Sequence, residues 1–245
     1  MASENPSWGE ERIANDLSLK LGLLVDARTV GKYLKQGRRP RPSRNQRWAT
    51  FVQNHASEII ACDFFTSVTA TFRVLYVFVA IEIASRRILH VNVTNHPTAE
   101  WTRQQFREFV DDRSGHRYLI HDRDTVFSAE VDEALKGFGL EILKTPIRSP
   151  MANAYCERVI GTIRRECLDF LIPINERHLR RIVQESAIYY NRGRPHRALG
   201  PGFPEPNPTP VPAGHRYELP AQHRITKTSI LGGLHHDYRL EKEVA

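Results

Sequence analysis

Hydrophobic residues along this chain follow two different rhythms. Between residues 58 and 144 they form short apolar runs separated by polar turns, and beyond residue 153 they recur every three or four positions over two long stretches. The first rhythm predicts strands and short helices, the second long amphipathic helices. Residues 58–65, 74–84 and 87–94 read as three strands, and the first two are apolar enough to lie inside a sheet. Ser85-Arg86 marks the tight turn between the second and third. Thr98 caps a helix that runs to about Asp112, with Ala99, Thr102, Phe106, Phe109 and Val110 on its inner face. A strand at 117–121, a helix at 128–137 and a strand at 140–144 complete the order β-β-β-α-β-α-β.

The second rhythm begins at Cys156. Cys156, Ile160, Ile163, Cys167, Phe170 and Leu171 form one apolar stripe, with Glu157 at its polar border and Arg164 two turns further along Glu157's line. Leu179, Ile182, Val183, Ser186 and Tyr190 form the stripe of the next helix, flanked by Arg177, Arg180 and Arg181. Past Pro195 the chain becomes proline-rich, which predicts the end of the globule. A hairpin of 228–231 and 234–239 around Gly232-Gly233 is expected in a solvated tail. His235-His236-Asp237 in that tail is a weak metal motif, because adjacent histidines on a strand face opposite ways.

The N-terminal region has its own pattern. Residues 8–21 read as a helix with Ile13, Leu17 and Leu21 on one face and Gly22 as its stop. Asp26 can cap a second helix at about 27–35, with Val30 and Leu34 inward and Arg28, Thr29, Lys32 and Lys35 outward. Such a pair is a short helix-turn-helix unit (residues 1–36), able to face DNA or to pack as a plain helical hairpin. The linker that follows (37–50) carries Arg38, Arg39, Arg41, Arg44 and Arg47 with no acid, and Pro40 and Pro42 predict irregular backbone along phosphates.

Composition narrows the classes. The net charge is +7, and residues 1–50 hold ten Lys/Arg against five Asp/Glu, so the excess is N-terminal and suggests a polyanionic partner. With 40% hydrophobic and 26% charged residues the chain can bury one good core (51–200) and has no run apolar enough for a membrane span. Met1-Ala2-Ser3-Glu4 opens no signal peptide, so a cytoplasmic protein is expected, nucleoid-associated in a prokaryote. Cys62, Cys156 and Cys167 lie in apolar segments without C-x-x-C spacing and read as buried free thiols. A glycine-rich phosphate loop is missing, so no nucleotide cofactor is expected.

Three carboxylates carry the candidate chemistry. Asp63 follows the run Ile59-Ile60-Ala61-Cys62, Asp122 follows Tyr118-Leu119-Ile120-His121, and Glu157 lies on the first long helix. Each alone also suits an exposed strand end, a turn or a helix border. Together, two acids at strand ends and one on a helix can hold two Mg²⁺ ions that clamp the attacking and leaving oxygens of phosphoryl transfer.

The order of elements and three sequence segments resemble the retroviral-type integrase catalytic core, an RNase H-like fold shared with insertion-sequence transposases of the DDE type. The first segment is Ile120-His121-Asp122-Arg123-Asp124-Thr125-Val126-Phe127-Ser128. The second runs from Thr145-Pro146-Ile147-Arg148-Ser149-Pro150 through Asn153 to Glu157-Arg158. The third is Tyr190-Asn191-Arg192-Gly193-Arg194-Pro195-His196-Arg197-Ala198-Leu199-Gly200, and the similarity spans roughly residues 45–205. Arg123-Asp124 replace the family's usual Asn-Gly, Ala154 replaces a Gly, and Ile60 stands where a Trp is common. Asp124 is thereby a competing ligand to Asp122.

The resemblance implies an α/β fold with a mixed five-stranded sheet and flanking helices, behind a helix-turn-helix that is short for the family. It implies a polynucleotidyl transferase in which Asp63, Asp122 and Glu157 bind two Mg²⁺ (or Mn²⁺) ions for DNA cleavage and strand transfer. Lys144, Arg158 and Arg164 would contact phosphates, and Asn153 and His196 would act as positioning groups. The partners implied are double-stranded DNA, both element ends and target, and further copies of the chain in a homo-oligomer. Two rivals are an RNase H-like nuclease that does not join ends and a decayed transposase that only binds DNA.

Overall fold

The structure is a computed structural model, and it describes residues 10–11, 13–14, 17, 25–37, 44–110, 115–144, 153–199, 202–205 and 222–242. Two compact units divide between Arg47 and Trp48. In the first, Ile13 and Ala14, from the helical stretch that the pattern anticipates, pack with Val30 of α1 (Ala27–Gly37). Asp26 accepts from the Arg28 backbone N–H at 2.7 Å, as a helix-start residue should. Arg28, Thr29 and Lys32 are exposed.

The expected irregular linker needs correction. Helix α2 (Arg44–Asn54) begins inside it, crossing the expected boundary at residue 50. The prolines stop at Pro42, and Trp48, Phe51 and Val52 recur at helical spacing and pack on the central core. Arg38, Arg39 and Arg41 lie outside the described residues, as do the side chains of Lys35, Arg44 and Arg47.

The second unit is built on a five-stranded sheet: β1 (Ile59–Val68), β2 (Val74–Glu82), β3 (Ile88–Thr94), β4 (Tyr118–His121) and β5 (Glu141–Lys144), in the order β3-β2-β1-β4-β5. β1 pairs antiparallel with β2, and β2 with β3, whereas β4 runs parallel to β1 and β5 parallel to β4. The two most apolar strands, β1 and β2, are interior, as their composition requires. Arg86 takes a φ of 65° in the β2–β3 turn.

Each face of the sheet is covered. Ile60, Cys62, Phe78, Ala80 and Leu119 pack with Phe106 of α3 (Ala99–Arg107) and with Val131 and Leu135 of α4 (Ala129–Lys136). Ile59, Ala61, Phe65, Val79 and Ile120 pack with Cys156, Val159 and Ile163 of α5 (Ala154–Ile163) and with Leu179, Val183 and Tyr190 of α6 (Glu176–Arg192). Thr98 and Ser128 cap α3 and α4 through their hydroxyls. The cysteines are buried and free, as expected.

Two expectations about the last third fail. The apolar stripe of α5 does not reach Phe170, which is exposed. A π-helical turn at Arg164–Leu168, closed by the Asp169 N–H on the Arg164 carbonyl, takes up extra chain and rotates Phe170 off the stripe. Nor does the globule end at Pro195. The His196 and Gly202 backbones pair, and Glu205 bonds Arg192 at 2.7 Å. The hairpin is longer than predicted: β6 (His223–Ile230) and β7 (His235–Lys242). It packs on α6, with Leu231 buried beside Cys167 and Ile182 and the His235 ring stacked on Tyr189 at 4.9 Å. A single buried leucine in a polar stretch gives little periodic signal.

Candidate active site

The sheet register puts the first two carboxylates side by side. Ile59, Ile60 and Ala61 pair with Tyr118, Leu119 and Ile120 on parallel strands, and two steps beyond the last pair stand Asp63 and Asp122. Alternation along a strand then turns both toward the face that holds α5 and α6, since Ala61 and Ile120 point there. Neighbouring strands lie about 4.8 Å apart, close enough for two carboxylates to repel strongly. Asp63 shows the result. Burial first, then the charge of Asp122, with smaller contributions from Glu157 and Asp124, pushes its carboxyl up to about 7, although the Phe64 N–H holds one oxygen at 2.8 Å.

Glu157 reaches the same end of the sheet from the first turn of α5. Its neighbour Cys156 is fully buried against the sheet, so Glu157 falls at the helix border and is exposed. The start of that helix is fixed by Asn153, whose buried side-chain amide donates to the Cys62 carbonyl at 3.1 Å. Cys62 directly precedes Asp63, so one hydrogen bond links the origin of Glu157's helix to Asp63's strand. The Asn153 Oδ1 is buried without a partner among the described residues.

Asp122 and Asp124 differ in setting. Asp122 directly follows β4 and accepts the Asp124 N–H at 2.9 Å. Asp124 is exposed and spends its own Oδ1 on the turn, on the Val126 N–H and the Thr125 hydroxyl, both at 3.2 Å.

Beside Asp122 lies a buried polar relay that the sequence reading missed. The His121 side chain is fully buried and stacks on Phe127 at 4.4 Å. Its Nδ1 donates to the Asp122 carbonyl at 2.5 Å, and its Nε2 lies 3.0 Å from Asp132 Oδ1. Asp132 also takes Lys144 Nζ on its other oxygen at 2.5 Å. An acid next to Val131 on the inner face of α4 is a detectable signal, since a buried carboxylate needs partners. Lys144, expected on DNA phosphate, is thus held in an ion pair at the end of β5.

The remaining expected residues are dispersed. Arg164 is exposed, donates to the Thr66 carbonyl at 3.3 Å and lies over the Phe65 ring, which places it on the strand of Asp63. Arg158 is exposed beside Glu157. His196 is buried away from the carboxylates: its Nε2 bonds the Tyr190 carbonyl at 3.0 Å, and its ring meets Tyr190 edge-on. It secures the return of the chain after α6. Asn191 does likewise at the other end of the sheet, exchanging two 2.9 Å bonds with the Ile88 backbone.

Among the described residues, no three His, Cys, Asp or Glu side chains converge at metal-binding distance. The donor set nevertheless suits a hard divalent cation, because it is all carboxylate oxygen and burial together with the neighbouring charge of Asp122 raises the Asp63 carboxyl.

Residues 139–204 match the family described as integrase core domain, a stretch that includes Glu157 and the Tyr190–Leu199 segment. No curated protein matches the chain. Among solved structures, the simian T-cell lymphotropic virus intasome in complex with PP2A regulatory subunit B56 gamma aligns with a TM-score of 0.50 at 9% identity, covering 77% of this chain and 79% of that one. The HTLV-2 integrase catalytic core domain in complex with magnesium aligns at 0.47 and 14% identity, covering 59% and 92%. The catalytic domain of Mos1 mariner transposase aligns at 0.49 and 12%, covering 58% and 77%. At these identities the likeness is one of fold. The second unit has the RNase H-like architecture of integrase cores, with its mixed five-stranded sheet and flanking helices.

Proposed function

We propose that this chain is a DDE-type transposase or integrase, a polynucleotidyl transferase that cleaves DNA and joins the freed 3′ end to a target. The observation that carries this reading is that Asp63 and Asp122 each stand two steps beyond the last registered pair of neighbouring parallel strands, with Glu157 on a helix tied to Asp63's strand. The family match over the stretch bearing Glu157 supports it.

Asp63, Asp122 and Glu157 would hold two Mg²⁺ or Mn²⁺ ions. When bound, such ions lower the pKa of an attacking hydroxyl and stabilise the leaving oxygen. The protein's own part is to hold three carboxylates against their mutual repulsion. Asn153 sets the helix of Glu157, and the relay of His121, Asp132 and Lys144 sets the end of β4. Arg158 and Arg164 flank the carboxylates and would take the phosphates of a DNA strand. Arg28 and Lys32 on α1, with the basic run through Arg47, would bind duplex DNA of the element ends. Assembly as a homo-oligomer fits the intasome likeness, since two ends must be joined to one target. No helix among the described residues is long and apolar enough to cross a membrane.

One observation favours a second reading. Arg123-Asp124 stand where the family has Asn-Gly, and the carboxylates do not close into a metal cluster, which would suit a decayed copy that only binds DNA. Incubating the full chain with the DNA ends flanking its own locus, with and without Mg²⁺, separates the readings. Cleavage with joining supports the proposal, cleavage alone makes the protein a nuclease, and binding alone makes it a remnant.

A further inference from the structure

The hairpin β6–β7 has two unlike faces. Its register pairs His223 with Lys242, Ile225 with Leu240, Lys227 with Tyr238 and Ser229 with His236, and alternation puts these eight residues on one side. Arg224, Thr226, Thr228, Ile230, His235, Asp237, Arg239 and Glu241 form the other.

The second face touches the globule only at its turn end, and along the rest of its length it is mostly exposed with its charges paired. His235 stacks on Tyr189 of α6 and bonds the Glu166 carbonyl at 2.7 Å. Both acids on that face are met by arginines, Asp237 by Arg239 at 2.9 Å and Glu241 by Arg224 at 3.5 Å. The first face carries no acid at all. Lys227 and Lys242 are exposed there, Ile225 and Tyr238 are 57% and 64% exposed, and the Tyr238 ring lies 6.3 Å from that of His236. The two faces therefore differ in charge: one carries two arginines paired with two acids, and the other carries cations without an acid.

We propose that this outer face of β6–β7 is a binding surface for duplex DNA, additional to the N-terminal basic segment and to the carboxylate site. The charge complements a polyanion. The shape fits as well, because a two-stranded ribbon is one of the elements that the major groove of B-DNA admits. Lys227 and Lys242 stand four register positions apart, about 14 Å along the ribbon. The major groove is about 12 Å wide, so the two lysines would meet phosphates on its opposite walls. Ile225 and Leu240 lie between them and Tyr238 stands directly opposite Lys227, so an apolar surface can rest against base edges and thymine methyl groups. Anchoring by Leu231 and His235 on α6 couples this contact to the catalytic unit, so that DNA held by the ribbon is presented to the same body that carries Asp63 and Glu157.

The inference rests on the DNA-acting reading above, but its test is independent of cleavage. Binding of the full chain to a random-sequence duplex is followed by fluorescence anisotropy across a salt series, without divalent cation. Three proteins are compared: the natural chain, the double variant Lys227→Ala/Lys242→Ala, and Tyr238→Ala. Loss of two phosphate contacts flattens the slope of log K against log salt by about 1.8. Tyr238→Ala is expected to weaken binding several-fold with an unchanged slope, since it removes stacking or apolar contact rather than charge. Thermal melting of each variant at the natural temperature verifies that the hairpin remains docked. Superimposable slopes and affinities in folded variants overturn the ribbon site while leaving the transposase reading intact. A natural chain that binds no duplex removes both.

Discussion

The Asn153 side-chain amide donates to the Cys62 carbonyl at 3.1 Å, joining the residue that precedes Glu157's helix to the residue before Asp63. Two carboxylates far apart in sequence are thereby held at one sheet end by a hydrogen bond that belongs to neither. Asn153→Ala removes that bond, at a cost of about 1 kcal/mol of stability. A misplaced catalytic group costs far more in rate than in folding, so cleavage and joining are expected to fall roughly 100-fold. Duplex affinity in the absence of metal should stay as it is. Chemical denaturation, an end-cleavage assay and a binding titration on one preparation test the three parts together.

Asp63 couples the site to stability. Its carboxyl is raised from 3.8 to about 7 by burial and by Asp122, so between those values the folded protein keeps a proton that the unfolded chain has released. The stability that this one carboxyl contributes is therefore fully present below about pH 4 and is lost as pH rises through about 7. Asp63→Asn relieves this and should raise the melting temperature at pH 8 by roughly 5–10 °C in chelator. Near pH 4 the two melting temperatures should converge. A variant that melts lower than the natural chain at pH 8 would show that the carboxylate is not repelled in the fold.

The relay beside Asp122 makes its own prediction. Asp132→Ala leaves the buried His121 and the exposed Lys144 without their shared acceptor, and the loss of His121's buried partner costs roughly 3 kcal/mol. Asp132→Asn retains an acceptor for His121 and should lose about half as much. Differential scanning calorimetry of the pair ranks them, and equal losses would mean that packing rather than the charge holds this corner.

Asp124 offers the cleanest internal contrast. Its Oδ1 caps the turn after β4 through Val126 and Thr125, whereas Asp122, like Asp63, stands two steps beyond the last registered pair of β1 and β4. Asp124→Asn keeps an oxygen acceptor for the turn and should retain at least about half of the activity, while Asp122→Asn abolishes it. An inactive Asp124→Asn beside an active Asp122→Asn reverses the assignment of the ligand.

Much of this was legible in the sequence because one periodic signal dominated each element. The runs Ile59-Ile60-Ala61-Cys62 and Leu75–Ile81 could only be interior strands, and they are. Leu179, Ile182, Val183, Ser186 and Tyr190 are all buried on α6 as the stripe demands. What escaped was of two kinds. The start of α2 was hidden by prolines that lie just before it, and Phe170 by a π-helical turn that leaves no trace in a count of spacings. The other kind was polar. Asp132, Asn153 and His196 are buried for partners far along the chain, and a sequence read locally shows the polar residue but not the partner. Asn153 and His196 came forward only through resemblance, and the structure separates them: Asn153 stands at the carboxylates, His196 at the chain return.

The central claim is that Asp63, Asp122 and Glu157 form one site for phosphoryl transfer on DNA. Its most direct measurement is the Mg²⁺-dependent reaction of the protein with its own flanking DNA ends, run with the natural chain and with Asp63→Asn, Asp122→Asn and Glu157→Gln. The account predicts cleaved and joined products from the natural chain and loss of both, by at least about 1,000-fold, in each variant, with duplex binding unchanged. Turnover by any one of the three at a rate near that of the natural chain would contradict it.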